Sequence, residues 1–493
     1  MTLPTNIRLS VVAFATIIST SILIWFGSGL NPWWPLLWIA PLPVLLFTVR
    51  SSWRSTAIVT TISWLTGSLN MGHYFSAVLH IPLAILALII VIPALAFAAA
   101  VLLFRALLRK GAIWSALLAF PAAWVSYEYL VNLFSPHGTA GSISYSQLKF
   151  LPVLQLASVT GPWGISFLVL LFSSSLALGL HLRQTAPRQA LRIVAAGSGV
   201  VVLTLIFGAA RLALPLPRQQ VKVGLIASDL PGNVDIADEG AATARLFHDY
   251  AGKVEELAAG GAEVIVLPEK LGVAVDSDQA DAGAIFQSLA NKAKSRIVVG
   301  LLHVSPQAKY NEARMYSPEA PEFRYDKHHM LPLYESMLKP GTTLTLLSAS
   351  SGTWGVAICK DMDFTPLSRL YGKAGAGLML APAWDFDLDR LWHGHMAVMR
   401  GVESGFSVVR AARQGYLTVS DDRGRILAEA RSDSADFATL VADVPAAHDA
   451  TLYLLLGDWF AWLALMLLVF SLVQLYRPRN SLGAQEIAVP SHR

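Results

Sequence analysis

Along the first 210 positions, apolar residues run in blocks of about twenty, separated by short polar or basic caps. A helix needs about 20 apolar residues to cross the hydrocarbon core of a bilayer. The blocks therefore predict spans near 9–27, 33–49, 55–78, 81–104, 112–133, 163–182 and 190–210, with an eighth near 459–476. Trp33, Trp34, Trp38 and Trp53 flank the second block, and Trp459 and Trp462 open the last, where an interfacial aromatic belt belongs. From Val221 the pattern changes to short β-branched runs alternating with amphipathic stretches. Val221–Ala227, Glu263–Leu267, Arg296–Leu302, Trp354–Ile358 and Gly377–Ala381 read as strands, and Ala241–Ala259, Ala282–Lys294, Pro366–Ala374 and Trp392–Ser404 as helices. Ser407–Ala412, Tyr416–Ser420, Arg425–Ala430 and Thr439–Val444 follow as strands with hairpin-type turns. Such an alternation predicts an α/β layer fold. The expected division is a membrane part over 1–218, a soluble domain over 219–449, and a last span with its tail over 450–493.

Charge changes the picture from a set of spans to an oriented one. Arg8, Arg50 with Arg54, Arg105 with Arg109 and Lys110, Arg183 with Arg188 and Arg192, and Arg477 with Arg479 fall on every second loop. The short intervening loops hold Lys149, His80 and His137. The excess of Lys and Arg on cytoplasmic loops then puts both termini in the cytoplasm and the soluble domain outside. Arg211 and Arg218 run against this, but they lead into a long domain, where charge bias has little effect. The first span is longer than a signal-peptide core and reads as retained. Glu128 is the sole Asp or Glu before Asp229 and lies inside the fifth span. A carboxylate there is costly, so it marks either a functional group or a polar pair that packs helices.

The chain is 54% hydrophobic and 14% charged, too apolar for an ordinary soluble protein. Its net charge of +4 comes with no basic stripe on the soluble part, which argues against nucleic acid as a partner. The single cysteine, Cys359, excludes an intramolecular disulfide. It lies just beyond a predicted strand in Gly-Val-Ala-Ile-Cys-Lys-Asp, as Glu269 does in Val-Ile-Val-Leu-Pro-Glu, at the edge where open α/β sheets place their sites. The helix predicted after Cys359 would favour its thiolate. Lys327 follows in Tyr-Asp-Lys-His-His. Singly, each has a bland reading: a small buried hydrophobe, a surface carboxylate, a solvated lysine. Jointly, a carboxylate can take the thiol proton, the thiolate can attack an acyl carbonyl, and the ammonium can stabilise the oxyanion. His328-His329 and His393-Gly-His395 lack zinc-site spacing, so no metal or other cofactor is expected. No Gly-x-Ser-x-Gly elbow or phosphate-binding glycine loop supports a serine hydrolase or a nucleotide enzyme.

The order Leu-Pro-Glu269, Lys327 with Leu-Pro-Leu-Tyr-Glu335, and Ile-Cys359 resembles the Glu-Lys-Cys triad of the nitrilase superfamily, which implies an αββα sandwich. The segment Tyr145-Ser-Gln-Leu-Lys-Phe-Leu-Pro-Val-Leu-Gln-Leu-Ala-Ser-Val-Thr-Gly-Pro-Trp-Gly-Ile-Ser-Phe-Leu is similar to one joining two spans in the bacterial apolipoprotein N-acyltransferases. His395-Met-Ala-Val-Met-Arg400-Gly-Val-Glu403 and Gly457-Asp458-Trp459 also resemble that family. The resemblance implies an integral enzyme of the cytoplasmic (inner) membrane with its catalytic domain on the periplasmic side. Cys359 would take an acyl chain from a phospholipid as a thioester, with Glu269 as base and Lys327 at the oxyanion. The acyl group would pass to the α-amine of a diacylglyceryl apolipoprotein. Glu335 would support the lysine or the amine, with Lys360, Asp361, Trp384 and Glu403 as further binding or supporting residues.

The chain departs from the family pattern around the pockets. Lys360-Asp361 follows the nucleophile where an aromatic residue and a glutamate are usual, Lys270 follows the base, and Ala381-Pro-Ala383 precedes Trp384. The added cation at Lys360 should favour thiolate. Competing readings are a membrane-anchored amidase, in which water replaces the amine, an N-acyltransferase with another amine acceptor, and a non-catalytic membrane scaffold or transporter. An intact triad argues against the last.

Overall fold

The computed structural model describes residues 5–217, 219–234, 241–275 and 280–477. Arg218 and Arg479, both used in the charge argument, lie outside the described residues. Among the described residues six helices are long and apolar enough to cross a membrane: Thr5–Gly27, Leu83–Arg109, Ile113–Phe134, Pro162–Leu182, Pro187–Ala213 and Trp459–Tyr476. Two of the eight predicted spans are not single long helices. The second breaks into Trp34–Leu37 and Leu42–Arg50 around Pro41, which lacks the amide hydrogen that a continuous helix needs. The third is the helix Trp53–Ser68, continued by a 3-10 turn, Leu69–Met71, and a π-helical stretch, Tyr74–Val78.

The core of this helical part is aromatic: Trp64, Phe97, Phe120 and Trp124 pack in tilted and edge-on contacts with centroids 4.5–5.9 Å apart. Glu128 sits beside them, buried. Its Oε1 accepts from Trp124 Nε1 at 3.0 Å and from the Ile143 backbone at 2.7 Å, and its Oε2 accepts from Ser142 Oγ at 3.1 Å. The carboxylate thus holds the connection that follows its own helix.

The soluble domain is a sandwich of two sheets. Strands β1 (Gln220–Ala227), β2 (Val264–Val266), β3 (Gly272–Val275), β4 (Arg296–Val304), β5 (Lys309–Ser317) and β6 (Ala320–Asp326) belong to the first. Strands β7 (Leu346–Ala349), β8 (Gly352–Val356), β9 (Ala376–Trp384), β10 (Ser407–Arg413), β11 (Tyr416–Ser420) and β12 (Ile426–Arg431) form the second. The last strand, β13 (Ala438–Pro445), returns to pair antiparallel with β1. The orders are β13-β1-β2-β4-β5-β6, with β3 on β4, and β12-β11-β10-β9-β8-β7.

Strand periodicity decides which residues meet between the sheets. Val221, Val223 and Leu225 of β1 and Val298 of β4 pack against Trp354, Val356, Leu378, Leu380 and Val408. Ile226, Ile297, Val299 and Leu301 point the other way, onto Phe247, Tyr250, Val254 and Phe286 of the helices Ala241–Ala259 and Ala280–Ala293. Helices Thr365–Lys373 and Arg390–Ser404 lie on the outer side of the second sheet, which completes an αββα arrangement.

The helix Arg390–Ser404 joins the two parts. Ala397 packs into the sandwich core, while Met396, Met399 and Val402 enter the same apolar core as the membrane helices. At a second seam, Asp458 accepts from Trp163 Nε1 and from Tyr453 OH at 2.8 and 2.7 Å. Gly161, at φ 64°, leaves space that a β-carbon would take from the Tyr453 ring. The segment from Tyr145 to Leu168 and the Gly457-Asp458-Trp459 turn therefore lie against each other.

Removing the Glu128 acceptor should destabilise the protein. Glu128→Leu leaves the Trp124, Ser142 and Ile143 donors without it, at about 1–3 kcal/mol for each buried group left unsatisfied. Glu128→Gln keeps one acceptor oxygen and should cost much less. Thermal unfolding of the purified protein in detergent measures both, and equal midpoints for the two variants would contradict this role.

Candidate active site

Three strand ends and a loop bring the predicted chemistry together. Glu269 follows β2, Lys327 follows β6 directly, and Cys359 follows β8. The Glu269 amide donates to Ala383 O of β9 at 3.2 Å, and the Lys327 amide to Asn311 O of β5 at 2.8 Å, so the site spans both sheets. Lys327 Nζ lies 2.8 Å from Glu269 Oε1 and 2.8 Å from Glu335 Oε2, with all three side chains at most 2% exposed. Asn311 Nδ2 reaches the same two carboxylates at 2.5 and 2.7 Å. Glu335 also accepts from the Leu331 backbone and from Lys270 Nζ, both at 2.8 Å.

These contacts set the charges. Burial works against the Lys327 ammonium, but Glu269 and Glu335 outweigh it and hold its pKa well above the ordinary lysine value. Burial works against the Glu335 carboxylate too, and Lys327 and Lys270 hold it down at about 2. Burial and the Glu269 charge push the Cys359 thiol well above its ordinary value, against Lys327 and Arg410. These contacts oppose the thiolate that the sequence favoured. Its supposed causes are displaced: the helix starts at Thr365, and Lys360 Nζ turns to His137 Nδ1 at 3.1 Å and Asp363 Oδ2 at 3.5 Å.

Cys359 begins a single 3-10 turn, Cys359–Asp363, with φ 43°, and Lys270 beside Glu269 has φ 47°. Non-glycine residues in this region cost about 1–3 kcal/mol and persist where the surroundings fix them. Asp361 is one such fixture. It is fully buried and accepts from the Ile358 amide, Tyr325 OH, the His328 and His329 amides and His329 Nδ1, all at 2.7–3.1 Å. It ties the Cys359 turn to the loop after Lys327. The thiol itself reaches Trp384 O at 3.5 Å.

A cavity of about 770 Å3 connects this cluster to the helical part. Glu269, Lys327, Glu335, Cys359, Lys360 and Trp384 line one end, and Ile85, Leu88, Ile92 and Trp124 the other. The Trp384 ring is stacked by Arg413, 3.7 Å from its centroid, with Lys270 at 5.2 Å. Glu403 does not line the cavity. It is buried at the seam between the two parts, 2.8 Å from Arg400, whose guanidinium also donates to Tyr145 OH at 3.0 Å.

Asn311, Lys270 and His393 were not assigned a role from the sequence. Asn311 sits in a strand, β5, whose buried Glu312 and Arg314 pair inside the fold and mask its strand character. Lys270 stood out only as a departure, yet it supplies the fourth charge of the cluster. His393 lies 3.5 Å from Asp363 and 3.2 Å from Asp389, which accepts from Tyr74 OH at 2.5 Å. Among the described residues no group of His, Cys, Asp and Glu is arranged to hold a metal ion.

Residues 20–175 match the family described as apolipoprotein N-acyltransferase N-terminal domain, and residues 237–449 match carbon-nitrogen hydrolase. The chain belongs to the apolipoprotein N-acyltransferase family. The apolipoprotein N-acyltransferase of Geobacter metallireducens is 27% identical over 87% of this chain and 88% of its own. That of Pasteurella multocida is 24% identical over 86% of this chain and 88% of its own. A solved nitrilase-superfamily structure, Saccharomyces cerevisiae Nit3, is 20% identical with a TM-score of 0.40, over 49% of this chain and 96% of its own. Membership in the apolipoprotein N-acyltransferase family makes the chain an enzyme with a nitrilase-type domain and membrane helices.

The raised thiol makes a pH prediction. A protonated thiol reacts slowly with iodoacetamide, so Cys359 alkylation should gain rate only above the ordinary thiol range of about 8.5. Glu269→Gln removes a charge that raises the thiol pKa and leaves Lys327 less compensated, so the inflection should move to lower pH. A pH–rate profile of alkylation checks this, and an inflection that stays or rises would contradict it.

Proposed function

We propose that this enzyme transfers an acyl chain from a phospholipid, through a Cys359 thioester, to the α-amine of a diacylglyceryl apolipoprotein. The observation that carries the reading is the single cavity holding Cys359, Glu269, Lys327 and Glu335 at one end and apolar membrane-helix residues at the other. Ile85, Leu88 and Ile92 both line it and are exposed on the outer side of their helix, so a lipid chain has an apolar path to the thiol. The relatives' names favour a lipoprotein acceptor.

The chemistry follows from the charges. In the resting cluster Glu269 and Glu335 balance Lys327 and Lys270, with the thiol neutral. Glu269 takes the thiol proton as sulfur attacks the ester carbonyl, so a proton moves within the cluster and its net charge stays constant. That matters because an unpaired buried charge is expensive. Lys327 stabilises the tetrahedral oxyanion. The carbon–oxygen bond to the glycerol breaks, the Glu269 proton goes to the leaving oxygen, and a lysophospholipid departs. In the second half the neutral α-amine attacks the thioester, the carbon–sulfur bond breaks, and the amine's surplus proton returns through Glu269 to the thiolate. Glu335 and Asn311 keep Lys327 and Glu269 in place. The charge pattern of the loops supports an extracytoplasmic catalytic domain, with both termini in the cytoplasm of a bacterial cell.

Purified variants given phospholipid and a diacylglyceryl lipopeptide test this assignment. Cys359→Ala should make no N-acylated product. Glu269→Gln should slow both half-reactions, and Lys327→Met should lose roughly 10²–10³ in rate, as when one oxyanion-stabilising group is removed. A folded Cys359→Ala protein that acylates the amine at near wild-type rate would contradict the proposal.

A further inference from the structure

The turn that carries Cys359 is held from the membrane side as well as from within its own domain. After the helix Ile113–Phe134 the chain passes through His137, Gly138 and Thr139 directly against that turn. Both the Thr139 amide and its Oγ1 donate to Asp363 O, at 3.2 and 2.8 Å. Thr139 Oγ1 also meets Tyr145 OH at 2.5 Å. Lys360 Nζ reaches His137 Nδ1 at 3.1 Å. Gly138 has φ 53°, and a β-carbon there would stand 2.7 Å from Asp363 O and 3.1 Å from the Phe364 ring. No side chain fits in that gap.

The same loop is anchored at its far end by the intramembrane carboxylate. Ser142 donates its amide to Thr139 O at 2.9 Å and its hydroxyl to Glu128 Oε2 at 3.1 Å, and the Ile143 amide donates to Glu128 Oε1 at 2.7 Å. A continuous set of hydrogen bonds thus runs from inside the helical bundle to the last residue of the nucleophile turn. Cys359 needs such support, because its left-handed backbone relaxes toward ordinary φ unless both ends of the turn are pinned. Asp361 pins the turn internally, and the contact at Asp363 pins its far end.

We infer that the loop His137–Thr139 of the membrane part is a clamp that positions the nucleophile, with Thr139 and Gly138 as positioning residues and Glu128 as the anchor of the loop. The inference rests on Cys359 being the nucleophile. On this account an acid buried in a membrane helix serves catalysis at one remove, by fixing the loop that fixes the thiol. It also gives Lys360, which departs from the family pattern beside the cysteine, a partner on the membrane side.

The test uses the full-length protein in detergent with Gly138→Ala, Thr139→Val, Cys359→Ala, and Gly72→Ala as control, since a β-carbon at Gly72 meets nothing within 4 Å. Two readouts are needed: the rate of acyl-Cys359 formation from phospholipid, and the pH–rate profile of Cys359 alkylation by iodoacetamide, which needs no lipid site. The clamp predicts that Gly138→Ala slows acylation at least tenfold and Thr139→Val several-fold, through kcat rather than KM. It also predicts a displaced alkylation profile for both, with Gly72→Ala unchanged. Thr139→Val keeps the side-chain shape, so it carries the test if Gly138→Ala does not fold. Wild-type acylation and alkylation in Thr139→Val would overturn the clamp, as would a higher KM with an unmoved alkylation profile, which marks a lipid-docking contact. Either result leaves the nucleophile intact provided Cys359→Ala forms no adduct. An adduct in Cys359→Ala would instead remove the nucleophile reading, and the clamp with it.

Discussion

A lysine ammonium shut between two carboxylates is the constraint around which the site is built. Lys327 is almost wholly buried, and its charge is tolerable only because Glu269 and Glu335 stand 2.8 Å away on either side. Removing one member of a buried pair typically costs about 3–5 kcal/mol, because the other charge is stranded. The three residues come from a strand end in the middle of the first sheet, the strand at its edge and the following loop, so their contact fixes how those segments lie. Asn311 and Lys270 complete the arrangement with two more donors. The result is a cluster of two carboxylates and two ammonium groups, in which the proposed transfer of a proton from sulfur to carboxylate would create no unbalanced charge.

That cluster lies on a cavity it shares with the membrane helices. The helix Arg390–Ser404 contributes Met396, Met399 and Val402 to the bundle core, and the cavity passes from the thiol to the exposed apolar face of Leu83–Arg109. A soluble nitrilase-type domain standing alone would leave these surfaces uncovered. On the proposed function, a lipid bound beside Cys359 would turn an encounter between two insoluble partners into a step within one site. On the same reading burial has a second effect, since it pushes the Cys359 thiol up and so calls for a base.

Much of this was legible in the residues. The twenty-residue apolar blocks mark the long helices because bilayer thickness sets their length, and β-branched runs such as Val221–Ala227 and Arg296–Leu302 mark central strands because both faces of those strands are buried. Pro41 was visible too, but a block of apolar residues does not reveal where a proline divides it. The strands β5 and β6 escaped because Asn311, Glu312 and Arg314 read as polar surface, whereas they pair with one another and with the site inside the fold. Glu269, Lys327 and Cys359 were singled out by their order along the chain, and the structure brings them to one cavity. The place of Lys360 was not legible for a physical reason: adjacency in sequence put it beside sulfur, but its ammonium points to His137. Contacts between distant segments, such as Thr139 with Asp363, leave no periodic trace at all.

The covalent intermediate is the most direct point of attack on this account. Intact-protein and peptide mass spectrometry of the purified wild-type enzyme, after incubation with a phospholipid of defined acyl chains, should find one acyl group on the peptide containing Cys359. The adduct should be labile to hydroxylamine, as a thioester is, and should disappear when a diacylglyceryl lipopeptide is added, with the acyl mass reappearing on that peptide's amine. An acyl group transferred to the lipopeptide with no adduct ever formed on Cys359 would contradict it.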